Sequence, residues 1–177
     1  MRYAAFLRAI NVGGKNVVRM ADLKAACEAS GLADVSTYLQ SGNVLFESKE
    51  PAGDLTAQIE ALLAEMTGSD VAAVLRSAAE LQAVLALDPF AALDTEESHR
   101  YVTFLRDAPS PDRELPPGTP RGDLEIVHVA ASEVYSIPHE VGGRFGQPGA
   151  FVEAKLGVRT TTRNWAVVRA VAERLVQ

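Results

Sequence analysis

The chain has 177 residues, of which 47% are hydrophobic and 23% are charged, a balance typical of a folded globular protein. This composition excludes a disordered or fibrous chain, and the single cysteine excludes an internal disulfide bond. No apolar run approaches the roughly 20 residues that span a bilayer, and no signal peptide precedes the first predicted strand. We therefore expect a cytoplasmic protein with no membrane partner.

The formal net charge of -6 is distributed unevenly along the chain. Residues 1–20 carry four basic and no acidic side chains, and residues 142–169 carry five basic side chains and one acidic side chain. Residues 21–141 carry 7 basic and 21 acidic side chains. The two basic ends could converge into one patch that attracts anions, because local potential steers a ligand more than net charge does. The alternative is two separately solvated stretches.

Hydrophobic periodicity predicts seven elements in the first half of the chain. The opening strand is predicted over Tyr3–Ile10, and a helix follows over Met20–Ser30. A hairpin comes next, because the Ser41-Gly42 link between two apolar runs suits a tight turn. The remaining predictions are strands over 35–40, 43–47 and 71–75, a helix over 51–66 and a short helix over 78–87.

The order strand, helix, strand, strand, helix, strand is the split βαβ arrangement of ferredoxin-like domains. The heptapeptide Arg2–Arg8 recurs as Arg100–Arg106 with five of seven residues identical, and we interpret this as an internal duplication. The alternative is a chance likeness between two amphipathic strands. The predicted fold class is therefore α+β, with two ferredoxin-like split βαβ repeats whose antiparallel sheets pack against helices. The predicted domains are residues 1–92, which hold a glycine loop, and residues 93–177, which hold the C-terminal helix.

The second repeat has a less regular pattern than the first. A loop rich in proline and charge is predicted before two strands, and a glycine-rich loop of a kind that is often functional follows them. The terminal helix is predicted to take its N-cap from the threonines before it. The predicted ranges are the loop 107–121, strands 124–129 and 133–137, the loop 138–149, a short helix 151–156 and the terminal helix 163–176.

Three stretches carry candidate ligand-binding residues, and the first follows the opening strand. Gly13 and Gly14 let backbone N–H groups converge on an anion, and Lys15 adds a positive charge beside them. The stretch fails the P-loop pattern because Ala9 replaces the first glycine and Asn16 replaces the hydroxyl residue, so we reject a nucleoside triphosphatase. The alternative is that the glycines only turn the chain. The connection after the repeated strand lacks both glycines and lysine, which weighs against that alternative.

The other two stretches are rich in polar side chains. Residues 38–44 gather several at the predicted hairpin tip, where Asn and Ser commonly serve the turn itself. Residues 157–165 place three threonines and two arginines at a predicted helix N-terminus, which presents free N–H groups to an anion but also needs a cap. The candidate ligand-binding residues are Arg8, Asn11, Gly13, Gly14, Lys15, Asn16, Gln40, Ser41, Asn43, Thr161, Thr162, Arg163 and Asn164.

The sequence contains no pattern for a metal site or a catalytic nucleophile. His99, His128 and His139 lie far apart with no partner at ligand spacing. Cys27 falls at helical spacing with apolar residues, as a buried side chain would. No metal or cofactor is therefore predicted, and no catalytic residue can be named.

Three motifs resemble one bacterial family. They are FLRAINVGGKN at residues 6–16, YLQSGNV at 38–44, and KLG at 155–157 with TTRNW at 161–165. The whole chain is similar to the family called domain of unknown function 1697, although Ala9 stands where glycine is usual, and Ala166 and Val167 replace a more polar pair. The resemblance implies a small cytoplasmic protein built from two ferredoxin-like repeats, and it implies no activity.

The predicted function is binding of a phosphate or another anion by the glycine loop and by the Thr-Thr-Arg-Asn helix start. The ligand would be a phosphate-bearing small molecule or a single-stranded nucleic acid, and the 6% aromatic content gives nucleic acid no advantage. One alternative is a phosphoryl or acyl-phosphate hydrolase, by analogy with other small ferredoxin-like folds. The other is a structural or protein-interaction module without catalytic activity. The oligomeric state does not follow from the sequence.

Overall fold

A computed structural model describes residues 1–177 of the chain. The chain divides into two compact units: unit 1 is Met1–Ala83 with Val171–Gln177, and unit 2 is Val84–Ala170. Each unit contains a four-stranded antiparallel sheet packed with helices, which confirms the predicted α+β class with ferredoxin-like split repeats. None of the helices combines the length and apolar composition that a membrane span requires.

Unit 1 follows the βαββαβ order of a ferredoxin-like repeat. Its elements are β1 (Arg2–Leu7), α1 (Met20–Ala29), β2 (Ala33–Tyr38), β3 (Asn43–Glu47), α2 (Ala52–Thr67) and β4 (Ala73–Ser77), followed by α3 (Ala78–Leu87). The strands lie in the order β2-β3-β1-β4, so the two helix connections place β1 between β3 and β4.

The core of unit 1 lies between its sheet and the helices α1 and α2. Alternate residues of β1, among them Ala5 and Leu7, contribute to it because successive strand residues point to opposite faces. Leu23 of α1 and Ile59 of α2 are fully buried against them. Burial of each such side chain contributes about 1.5–3 kcal/mol. This packing anchors the end of β1, where the glycine loop begins.

Unit 2 has a second sheet in the order β10-β5-β7-β6 and a separate pair, β8-β9. Its core includes Leu105 and Val134 from the sheet and Val152 and Leu156 from a helix. The elements are a 3-10 turn (Glu97–His99), β5 (Tyr101–Leu105), β6 (Leu124–Val129), β7 (Glu133–Pro138), β8 (Glu140–Val141), β9 (Arg144–Phe145), α4 (Pro148–Leu156), β10 (Thr160–Asn164) and the first part of α5 (Trp165–Leu175). The residues of α5 from Val171 onward belong to unit 1.

Two predictions for the second repeat are wrong. The threonine-rich stretch forms the strand β10 and not a helix start, because its β-branched residues pair in register with β5 and the Thr162 hydroxyl lies 2.9 Å from that of Thr103. The predicted loop 138–149 contains the hairpin β8-β9 and the first residues of α4. This helix begins earlier than predicted because Pro148 stands at its first position, where proline is well tolerated.

Candidate functional site

The glycine loop of unit 1 is a small hairpin, which we call the first glycine hairpin (Asn11–Asn16). Gly13 and Gly14 have φ of +58° and +73° and form its two-residue turn. Two consecutive positive φ values are those of a type I′ turn, which glycine adopts without a steric penalty. The amide of Lys15 donates a 3.0 Å hydrogen bond to the carbonyl of Val12, and the two residues form an antiparallel bridge. The loop therefore projects as a tip and does not open a helix as a P-loop does.

The Asn11 side chain holds the first glycine hairpin in place. Its Nδ2 donates to the carbonyls of Val18, at 3.0 Å, and Gln40, at 2.8 Å. Its Oδ1 accepts the amide of Val18 at 2.8 Å. Since Gln40 belongs to the loop between β2 and β3, one side chain connects two of the three motifs found in the sequence. That contact is a finding of the structure, since no local pattern predicts it.

The loop between β2 and β3 has four residues (turn 39–42), where the sequence pattern predicted two. Its amide at Gly42 donates to the carbonyl of Leu39 at 3.2 Å, and its carbonyl at Gly42 accepts the amide of Leu7 at 2.9 Å. A Cβ atom at Gly42 would lie 2.4 Å from Cδ1 of Ile10. This position therefore requires glycine, so that the turn can pack against the residue that leads into the glycine hairpin.

Two of the predicted polar residues of this turn, Ser41 and Asn43, form a hydrogen bond within it, whereas the Gln40 side chain is exposed. Asn43 is fully buried and donates from Nδ2 to the carbonyl of Tyr38 at 2.6 Å and to Oγ of Ser41 at 3.4 Å. Gln40 contributes its backbone carbonyl to Asn11. These contacts assign Asn43 a positioning role.

Backbone strain is concentrated around the same two loops. Six non-glycine residues of the chain have positive φ, and four of them lie here: Ala9, Asn11, Asn16 and Leu39. The left-handed region costs roughly 1–2 kcal/mol for a residue with a Cβ atom. Strain of this kind persists only where the surrounding contacts over-determine the backbone, and it clusters at functional sites.

The outward groups of the first glycine hairpin are donors or cations. Lys15 is exposed, and it forms no ion pair in the structure. The exposed amides of Gly13 and Gly14 donate to no other group of the chain. Asn16 is half-buried, and its Nδ2 donates to the carbonyl of Ala9 at 3.2 Å. Arg8 is half-buried at the end of β1. Three candidate residues, the two glycines and the lysine, are therefore available to a ligand in solution.

The candidate residues of unit 2 lie in β10, where their hydroxyl groups already have partners. Thr161 Oγ1 accepts a 2.9 Å hydrogen bond from Nη1 of Arg163, and Thr162 Oγ1 meets the hydroxyl of Thr103. Arg163 is only 8% exposed, and burial lowers the pKa of its guanidinium to about 10. Asn164 caps α5, since its Oδ1 accepts the amide of Val167 at 2.9 Å. The N-cap is thus an asparagine and not one of the predicted threonines.

The candidate residues divide between the two units. Unit 1 brings the glycine hairpin and the turn 39–42 together, and unit 2 holds the threonine and arginine cluster. Unit 2 contains a second turn of two glycines, which the sequence motifs above did not include. The tetrapeptide Val141–Arg144 repeats the pattern Val-Gly-Gly-cation of Val12–Lys15, and this short repeat was the signal that could have revealed it.

Cys27 is a structural residue and offers no nucleophile. Its side chain has no exposed surface, and burial, with a smaller contribution from the charge of Glu28, raises the pKa of its thiol to about 11. A protonated, inaccessible thiol does not react with electrophiles. No group of three or more histidine, cysteine or acidic side chains in the structure could hold a metal ion.

We expect iodoacetamide to leave Cys27 unmodified in the folded protein at pH 8 and to modify it fully in 6 M guanidinium chloride. Because the unfolded thiol ionises near pH 9 and the folded thiol near 11, stability should also fall as pH rises through this interval. Mass spectrometry checks the first result. Denaturant titrations at pH 8 and pH 10 check the second, with Cys27→Ala as a control that lacks this pH dependence. Rapid alkylation of the folded protein would contradict the assignment.

The comparisons with known proteins agree on family and fold. The chain matches the family model described as "Protein of unknown function (DUF1697)" over residues 1–135. It is similar to a solved structure of the conserved bacterial protein SP0830 from Streptococcus pneumoniae, with a TM-score of 0.70, 23% identity and 98% of each chain covered. No curated protein matches the chain. At this identity the structural likeness extends to the fold alone. The family match covers most of the sequence, and the chain therefore belongs to the DUF1697 family.

Proposed function

We propose that unit 1 binds a phosphate-bearing ligand at the first glycine hairpin. The proposal rests on one observation: some polar groups of this loop form hydrogen bonds within the protein, and others remain exposed without a partner. Asn11 and Asn16 use their side chains in hydrogen bonds within unit 1 and hold a strained backbone. Lys15 and the amides of Gly13 and Gly14 remain exposed and form no hydrogen bond or ion pair that would explain their presence.

These three outward groups suit a phosphate for a simple chemical reason. A phosphate oxygen accepts hydrogen bonds from backbone amides and from an ammonium group, and such charge-assisted bonds are about twice as strong as neutral ones. Residues 1–20 contain four basic side chains and no acidic one. Two of these charges are compensated, because Arg2 pairs with Asp34 and Glu47 and Arg19 lies 3.7 Å from Asp22. The electrostatic attraction of an anion to this loop therefore rests on Lys15, which forms no ion pair.

The threonine and arginine cluster has a smaller part in the proposal. The groups of Thr161, Thr162, Arg163 and Asn164 that could hold a ligand form hydrogen bonds inside unit 2. Binding a ligand there would first have to break these bonds. The first glycine hairpin has no comparable cost, because its amides and Lys15 exchange only water for the ligand.

A small phosphoester or nucleotide fits this surface better than a single-stranded nucleic acid. The large hydrophobic residues exposed on these two loops are Val12, Val17 and Leu39, with exposed fractions between 48% and 66%. None of them is aromatic, whereas sequence-independent binding of single strands relies on aromatic stacking platforms. These aliphatic side chains instead offer an apolar contact beside the phosphate.

We expect Lys15→Ala to weaken binding of AMP or inorganic phosphate by about tenfold, because one charge-assisted hydrogen bond is lost. A ligand at 100 times its Kd stabilises the native state by about 2.7 kcal/mol, and tenfold weaker binding would halve this. Thermal unfolding with and without each ligand measures the effect. Lys49→Ala, a change at another exposed lysine of unit 1, is the matched control. An equal shift in both variants would contradict the proposal.

The interaction-module alternative has one observation in its favour. The same three aliphatic residues would also suit an apolar contact with a protein partner. The thermal-shift experiment separates the two functions, since a folded protein that responds to none of AMP, acetyl phosphate and inorganic phosphate would favour the partner. The hydrolase alternative predicts turnover of acetyl phosphate that is lost in Arg8→Ala.

We also propose that the two units arose by duplication of one repeat. The strand order β2-β3-β1-β4 corresponds to β6-β7-β5-β10. Arg76 lies opposite Ala4 and Arg163 lies opposite Val102, and the two partners occupy the same position in the repeated heptapeptide. Both arginines are buried, and each donates from Nη1 to the carbonyl of the residue before it. The two arginines thus have the same register against the repeated strand, β1 in one unit and β5 in the other. The likeness between the units therefore includes the neighbouring strands β4 and β10.

A further inference from the structure

Unit 2 contains a hairpin with the same turn as the one in unit 1, and we call it the second glycine hairpin (Glu140–Phe145). Gly142 and Gly143 have φ of +61° and +73°, within a few degrees of the values at Gly13 and Gly14. Val141 pairs with Arg144 across this turn, as Val12 pairs with Lys15 across the first. The chain thus has two type I′ turns with a valine before the glycines and a cation after them.

The outer pair of residues includes a side chain that contacts the rest of its unit in both hairpins, although Phe145 of the second remains 45% exposed. In the first, Asn11 and Asn16 form hydrogen bonds inside unit 1. In the second, the ring of Phe145 stacks on that of His99, with centroids 5.6 Å apart and an interplanar angle of 23°. Residues opposite one another in an antiparallel pair share a face, and successive residues alternate. The inner pair, valine and cation, therefore lies on the other face of each hairpin, where Lys15 and Arg144 are exposed and Val141 is half-buried.

Contacts inside unit 2 hold the second glycine hairpin firmly. The carbonyl of Asp123 accepts the amides of His139, at 2.8 Å, and Gly146, at 3.1 Å, which flank the hairpin. The guanidinium of Arg121 donates from Nη2 to the carbonyl of Val141 at 2.6 Å. These hydrogen bonds restrain both ends of the hairpin and its first strand. The turn is therefore ordered before a ligand binds, which lowers the entropic cost of binding.

No ion pair compensates the charge of Arg144, which is exposed. Of the neighbouring acids, Asp123 lies 3.7 Å from the guanidinium of Arg121, and Glu125 lies 3.2 Å from the ring of His139. Glu140 pairs with Phe145 and therefore occupies the opposite face of the hairpin. An anion that approaches Arg144 from solvent meets the cation first.

We propose that the second glycine hairpin is a second binding site for phosphate esters, formed by Arg144 and the amides of Gly142 and Gly143. The inference rests on the proposed function of the first hairpin, because it assigns the same ligand chemistry to the same arrangement of groups. Each chain then has two independent sites, one in each unit. Arginine at the second tip favours a bidentate contact with two phosphate oxygens, which the lysine of the first tip cannot make.

The test is a titration of the ¹⁵N-labelled protein with AMP, followed through the amide signals of the four turn glycines. Sodium chloride at matched ionic strength is the control for screening. We expect saturable shifts at both turns. Arg144→Ala should weaken the response of Gly142 and Gly143 by about tenfold and leave Gly13 and Gly14 unchanged, whereas Lys15→Ala should have the reverse effect. Arg144→Lys keeps the charge but loses the bidentate contact, so its binding should lie between that of the native protein and that of Arg144→Ala.

The outcomes separate the two proposals. Shifts at Gly13 and Gly14 with none at Gly142 and Gly143 would overturn the second site and leave the first intact. Shifts at the second turn that persist in Arg144→Ala, or that sodium chloride reproduces, would also overturn the second site. No shift at either turn would overturn both proposals.

Discussion

Replacement of Asn11 with alanine is expected to lower the free energy of unfolding by about 2–4 kcal/mol and to abolish phosphate binding at the first glycine hairpin. The substitution removes three hydrogen bonds, two to Val18 and one to Gln40, each contributing about 1 kcal/mol. It also places an alanine at a φ of +54°, which costs roughly a further 1 kcal/mol. Urea denaturation measures the stability, and AMP titration measures the binding.

Two further substitutions at Asn11 separate the effect of the lost hydrogen bonds from the effect of the positive φ. Asn11→Gly removes the hydrogen bonds but tolerates the positive φ, so it should destabilise by less than Asn11→Ala. Asn11→Asp keeps the acceptor for the amide of Val18 and loses both donors, and its negative charge would oppose an anion. If all three variants unfold like the native protein, Asn11 does not hold the hairpin and the argument for a prepared site fails.

Replacement of Gly146 with alanine is expected to destabilise the protein by about 1–3 kcal/mol and to disorder the second glycine hairpin. A Cβ atom here would lie 2.2 Å from the backbone carbonyl oxygen of Asp123 and 2.9 Å from Cβ of Leu124. A backbone atom cannot rotate away as a side chain can. The strand end must therefore move, and the hydrogen bonds to the Asp123 carbonyl are lost with it.

The matched control is Gly143→Ala, where the new methyl group meets no atom within 4 Å and only the φ of +73° is unfavourable. This variant should lose roughly 1 kcal/mol. Thermal unfolding compares the two, and amide exchange of Val141 and Phe145 reports on the hairpin itself. Equal stability of the two variants would show that the close approach to Asp123 does not restrain the hairpin.

Local pattern predicted several short elements whose ends are marked by turn or stop residues. The strand Asn43–Glu47, the helix Ala78–Leu87 and the strand Leu124–Val129 have the predicted bounds. Gly42 precedes the first strand and Pro89 follows the helix, and such residues mark the ends of an apolar segment within a short window of sequence. The fold class followed from the order of such elements.

The strand Thr160–Asn164 shows where local pattern is insufficient. Its sequence, Thr-Thr-Thr-Arg-Asn, has no apolar period and reads equally well as a cap before the helix that follows. Pairing with β5 decides in favour of a strand, because each residue has a defined partner there. That partner is about 60 positions earlier in the chain, beyond the reach of any local window.

Composition, periodicity and three short motifs were enough to determine the class, the ferredoxin-like repeats and the family of this chain, because each depends on residues close together in sequence. They also identified Gly13, Gly14 and Lys15 as candidates. Only the tertiary structure determined which polar groups form hydrogen bonds within the protein and which remain exposed to solvent. The bond from Asn11 to Gln40 spans 29 residues. A side chain's availability to a ligand depends on such distant partners, which burial and hydrogen bonding select only once the chain has folded.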